Sequence, residues 1–122
     1  MQKETSYGNL YEEDGRKRFG LAFGRAIEYE IKPSETLPNV YNVNFKPGII
    51  LADDEQNWKC PPSKLKLLCQ CIVALTNVYG TIRVYFSTFG EAAIFKRPTS
   101  YFAVKGKVDK MREDYMIRMD IY

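Results

Sequence analysis

Residues 19–31, FGLAFGRAIEYEI, place Phe19, Leu21, Phe23, Ile27, Tyr29 and Ile31 at odd positions and Gly20, Ala22, Gly24, Ala26, Glu28 and Glu30 at even ones. An apolar side chain at every second residue is the pattern of a strand with one face turned to a core, because successive Cβ atoms on a pleated strand point to opposite sides. The even face opens with four small residues, which admit another backbone at close range or the sharp bend of a small barrel. Arg25 interrupts the apolar face and marks a bulge or strand end near Gly24.

Moving outward, Lys32 to Asn39 contains Pro33 and Pro38 and reads as a turn. Val40 to Leu51 resumes the alternation, with Tyr41, Val43 and Phe45 opposite Asn42, Asn44 and Lys46, so the two strands are expected to pair antiparallel. Pro47-Gly48 bends or breaks the second strand before Ile49, Ile50 and Leu51. The period then changes. From Lys64 to Tyr79 the apolar positions Leu65, Leu68, Ile72, Leu75 and Tyr79 fall on one helical face, with Ser63 placed to cap the start and Gly80 the stop. Leu67, Cys71, Ala74 and Val78 widen that stripe, so the helix is expected to be buried on more than one side.

Beyond the helix, Thr81 to Phe86, Ala92 to Lys96, Tyr101 to Val108 and Tyr115 to Ile121 all read as strands. In the third of these Phe102, Val104 and Val108 point inward and Tyr101, Lys105 and Lys107 outward. In front of residue 19, residues 1–18 have no sustained period and read as an N-terminal arm, whose Tyr7, Leu10 and Tyr11 are suited to dock on the domain itself or on a neighbouring subunit. The expectation is a single β-rich domain over residues 19–122 with one main helix. Two architectures fit, an OB-like small barrel or an α+β arrangement in which helix 63–79 covers an antiparallel sheet.

Composition supports a packed, non-exported domain. The 122 residues are 45% hydrophobic and 27% charged, which excludes the low-hydrophobicity, one-sided charge of disordered chains. Met1 to Tyr11 is polar where a signal peptide is apolar, and no window approaches the roughly 18 apolar residues of a membrane span. Three cysteines, Cys60, Cys69 and Cys71, are an odd number in a chain large enough to fold without disulfides, so reduced thiols in a cytoplasm are expected and no membrane partner is.

Catalytic chemistry finds few residues to carry it. Histidine is absent, which removes the commonest general base and metal ligand and excludes Ser-His-Asp and Cys-His catalysis. Three cysteines, two of them diverging at i and i+2 of the helix, do not make a four-ligand zinc site, and no glycine-rich phosphate loop occurs. Glu12-Glu13 and Asp53-Asp54 read as solvated charges, and Glu28 with Glu30 as two glutamates on one solvent-facing strand. A non-catalytic protein without cofactor or metal is the expectation.

Charge points elsewhere. Residues 1–61 hold 8 basic against 10 acidic side chains, whereas residues 62–122 hold 10 against 5. A basic half fits a polyanionic partner. On the outward faces of the expected strands, cations alternate with rings: Arg83 with Tyr85, Lys96 with Arg97, and Tyr101 with Lys105 and Lys107. Single-stranded nucleic acid is held by such a surface, with cations tracking phosphates and rings stacking on bases. Trp58 and Lys59 before the helix, and Arg25, extend the candidate surface. Tyrosine alternating with lysine is also what an ordinary half-exposed strand looks like, and Tyr, Trp and Arg equally suit a protein interface.

The segment Tyr101 to Tyr122, YFAVKGKVDKMREDYMIRMDIY, resembles the closing strand pair of OB-fold domains, and the glycine-containing Phe19 to Ile31 is similar to their first bent strand. The resemblance implies an OB-type single-strand-binding protein, of the kind often encoded by phages or mobile elements, binding DNA in preference to RNA and with little sequence preference. The helix position departs from that pattern, because two strands precede it where an OB-fold has three. The alternative reading is a small assembly protein, a viral structural component or adaptor, that forms homo-oligomers through residues 1–18.

Overall fold

The computed structural model describes residues 8–20, 26–45, 62–86 and 91–118. Six strands form one open sheet in the order of the chain: β1 (Asn9–Glu13), β2 (Arg16–Gly20), β3 (Ala26–Pro33), β4 (Val40–Phe45), β5 (Thr81–Phe86) and β6 (Glu91–Lys96). Neighbours are antiparallel except β4 and β5, which run parallel because helix α1 (Pro62–Tyr79) lies on the connection between them. A second helix, α2 (Tyr101–Arg118), follows β6. Of the two architectures open from sequence, the sheet is the helix-covered one and is not closed into a barrel.

Residues 9–18, read from sequence as part of an arm, are the first hairpin of the sheet. Asp14 and Gly15 both have positive φ, 56° and 76°, the conformation of a two-residue hairpin turn whose twist matches the strands it joins. The acidic run on β1 and the basic run on β2 meet across this turn, with Lys17 Nζ 2.7 Å from Glu12 and Arg18 Nη1 3.1 Å from Glu13. Each of these two pairs lowers the cost of pairing two highly charged strands. Leu10 packs against the core, so this segment docks on its own domain.

The alternating stretch around residue 19 is two strands rather than one: β2 ends at Gly20, β3 begins at Ala26, and Phe19 faces Ile27 across the pair. The expected antiparallel pairing with residues 40–45 is present, Tyr29 opposite Phe45 and Ile31 opposite Val43. One face of the sheet therefore carries Phe19, Ile27, Tyr29, Val43, Phe45, Ile82, Val84 and Phe95, all buried. Helix α1 lies over this face, touching β1, β2, β3, β5 and β6, and it also meets α2. Contact with both layers explains why Leu67, Leu68, Cys69, Cys71, Ile72 and Leu75 are all buried although they span more than one helical stripe. The helix starts at Pro62, one residue before the expected cap, where the missing proline N–H leaves nothing unsatisfied. It stops at Gly80, whose φ of 89° and N–H bond to the Thr76 carbonyl (2.8 Å) form a left-handed terminus. Val78, expected within the buried stripe, is 63% exposed.

The largest correction concerns the C-terminal part. Residues 101–108 and 115–118, read as strands, are helical, so the segment that resembles OB-fold closing strands does not form them. Ser100 starts α2, its hydroxyl accepting from the Ala103 N–H at 3.2 Å. Tyr101, Val104, Val108 and Met111 make the stripe that packs on the core, while Phe102, expected inward, is 80% exposed. The remaining expectations for Arg25, Trp58, Lys59 and residues 49–51 lie outside the described residues.

Candidate functional site

Because both helices lie on one side, the register of the strands defines what the other side presents. Opposite the core residues stand Tyr11 and Glu13 on β1, Arg16 and Arg18 on β2, Glu28, Glu30 and Lys32 on β3, Asn42 and Asn44 on β4, Arg83 and Tyr85 on β5, and Ala92, Ile94 and Lys96 on β6. Among the described residues, none of these side chains is fully buried and no element covers them.

The charges on this face are not equivalent. Arg18 is tied to Glu13, and Arg16 Nε lies 3.5 Å from Glu28. By contrast Lys32, Arg83 and Lys96 form no ion pair with any described residue. The half from β1 to β3 holds the ion pairs of this face, whereas from Lys32 to Lys96 the cations form none among the described residues, with Glu30 and Glu35 the carboxylates nearest to Lys32.

Tyr85 stands near one end of that second half, in a row with Asn44 and Ala92. The Arg83 guanidinium lies 5.2 Å from the centroid of its ring, an arrangement that steadies ring and cation together. Its cross-strand neighbours are Asn44 on β4 and Ala92 on β6, both small, which leaves room beside the ring. Tyr85 is one wall of a depression of about 490 Å³ whose other walls are Asn42 and Asn44, Glu30 and Lys32 on β3, and Pro33, Glu35 and Thr36 at the β3–β4 turn. That turn is held by Ser34, whose backbone N–H donates to the Val40 carbonyl (2.8 Å) and whose hydroxyl accepts from the Leu37 N–H (3.0 Å). The rim of the depression is thereby fixed on the sheet.

Of the residues expected from sequence, the fold brings together Arg83, Tyr85 and Lys96. It places the others differently. Arg97 turns toward the end of α1 and donates to the Asn77 carbonyl at 3.3 Å. Tyr101 packs on the core at the start of α2. Lys105 pairs with Asp109 at 2.7 Å, and that hydrogen-bonded carboxylate raises the lysine pKa. Lys107 lies 5.0 Å from the Phe95 ring centroid and donates to the Ile94 carbonyl at 2.8 Å, satisfying an acceptor on edge strand β6. Arg97 lies in the bend after β6 and the other three side chains stand on α2, so none of them extends the sheet face. Lys32, Asn42 and Asn44 were not singled out from sequence, although the alternation of Asn42 and Asn44 with Val43 already placed them on the outward side.

Cys69 and Cys71 are both buried and form no disulfide among the described residues, and burial pushes the Cys71 thiol well above its ordinary pKa. Among the described residues no group of three histidine, cysteine or carboxylate side chains is placed to hold a metal, and no helix is long and apolar enough to cross a membrane. Compared with protein-family models, with curated proteins and with solved structures, the chain matches none.

Proposed function

We propose that this protein binds single-stranded nucleic acid, DNA in preference to RNA, on the uncovered face of its sheet, without catalysing a reaction. The observation that carries the reading is a set of three cations, Lys32, Arg83 and Lys96, without an ion pair among the described residues and on the same sheet face as a half-exposed tyrosine. Cations at strand spacing meet successive phosphates, and a ring standing on a flat sheet stacks against a base, which a duplex does not expose. Asn42 and Asn44 supply neutral donors and acceptors between them. Two buried cysteines that form no disulfide among the described residues support a reducing cytoplasm as the place where it acts.

The test is fluorescence anisotropy of a labelled single-stranded oligonucleotide across a salt series, beside a duplex of the same sequence. Three neutralised phosphates give a slope of about −2 in log K against log salt for a single strand. Absence of single-strand binding at low salt, or equal binding of the duplex, overturns the reading.

A second reading, self-assembly through the N-terminal segment, has one observation in its favour: among the described residues β1 is an edge of the sheet, and an edge strand offers one row of backbone groups to another strand. Sedimentation across a range of concentrations decides it. A monomer at every concentration rules it out, and association weakened by Glu12→Pro, whose N–H faces away from β2, supports it.

A further inference from the structure

The depression beside Tyr85 has a chemical bias that charge alone does not require. Two of its walls, Glu30 and Glu35, are carboxylates, which when ionised only accept hydrogen bonds. Neither forms an ion pair with a described residue. Asn44 adds an amide and Thr36 a hydroxyl, each able to donate and accept, while the Asn42 amide oxygen is itself buried. The two carboxylates are the only side-chain groups on the wall that accept without donating, and Lys32 is its single cation. The unpaired cations Arg83 and Lys96 belong to β5 and β6, while the carboxylates belong to β3 and the turn after it. A nucleotide lying across the sheet is thus offered cations at one end and acceptors at the other.

Resting on the nucleic-acid reading above, we infer that this depression receives one nucleobase, stacked on Tyr85, and selects bases that carry an exocyclic amino group. Cytosine presents its N4 amino and adenine its N6 amino as donors to carboxylate or amide oxygens, whereas thymine and uracil present carbonyl oxygens that meet acceptors unfavourably. Arg83, two residues from Tyr85 along β5, and Lys96, opposite Thr81 further in the same direction, meet phosphates on one side of that base. The volume of about 490 Å³ lies within the range of ordinary small-ligand sites and accommodates a base with its sugar outside.

The experiment compares oligocytidylate, oligoadenylate and oligothymidylate DNA of equal length by anisotropy at one salt concentration, with the chain and with Glu30→Gln and Glu35→Gln variants. One or two hydrogen bonds to an amino group predict about five- to tenfold tighter binding of the cytosine and adenine oligomers than of the thymine oligomer. Glutamine both donates and accepts, so the variants are expected to narrow that ratio by tightening the thymine complex, with thermal melting verifying that each is folded. Equal or tighter binding of oligothymidylate by the unaltered chain, or a ratio unmoved in both folded variants, overturns the inference and leaves the nucleic-acid reading standing. No binding of any oligomer overturns both.

Discussion

The same strands carry two faces with opposite chemistry. On the helix-covered face Val43, Ile82 and Val84 have no exposed surface, and on the other Asn42, Arg83 and Tyr85 reach solvent one residue away along the same backbone. Period-two geometry lets one set of residues stabilise the fold while the interleaved set stays available for a ligand, so stability and binding are expected to be separable by mutation.

The largest expected effect tests the covered face. Leu68→Ala removes a fully buried side chain between the sheet and the second layer and should lower unfolding free energy by about 2–5 kcal/mol in urea titration. The affinity of the protein that remains folded should be unchanged. Next, Tyr85→Ala should leave the melting temperature near that of the unaltered chain while weakening oligonucleotide binding by about 1–3 kcal/mol. If Leu68→Ala weakens binding as much, the two faces are not independent. A smaller effect separates cations by position. Arg83→Gln and Lys96→Ala should each make the salt slope shallower by about 0.7, whereas Lys107→Ala on α2 should leave it unchanged.

Two pH effects follow, both small near neutrality. Burial raises the folded-state pKa of Cys71, so its neutral thiol contributes stability that is complete below the unfolded value of about 8.5 and declines as pH rises beyond it. Urea midpoints from pH 7 to 10 should fall in the unaltered chain and fall less in Cys71→Ala. At the exposed hairpin, the hydrogen bond from Lys17 holds the Glu12 carboxyl below its ordinary range. That contribution is present above the unfolded pKa and is lost as pH falls through the lowered folded value, so Glu12→Gln should lessen the acid dependence slightly.

The contrast between the helices shows what was legible in the sequence. In α1 the apolar residues repeat at three and four positions with a glycine at the stop, and helix existence and extent follow from that alone. In α2, Phe102, Val104 and Val108 also fit a period of two, and Gly106 with the β-branched valines disfavours a helix. The competing stripe of Tyr101, Val104, Val108 and Met111 packs on the core, and Lys105 and Asp109 pair at i, i+4 along the same helix. The first hairpin was obscured for a different reason. Its charged run looks solvated unless the acidic residues of β1 are paired with the basic ones of β2 across Asp14-Gly15. For the candidate site, Arg83 and Tyr85 were legible from alternation within β5. Their neighbours Lys32, Asn42 and Asn44 depend on strand order, which alternation does not encode.

The most direct test of the account is an amide chemical-shift map of the isotope-labelled protein titrated with a short single-stranded DNA. The account predicts shifts clustered at Lys32, Asn42, Asn44, Arg83, Tyr85 and Ile94, with little change along Val104 to Lys110 of α2. Shifts centred on Lys105 and Lys107, or spread evenly over both sides of the sheet, would contradict it.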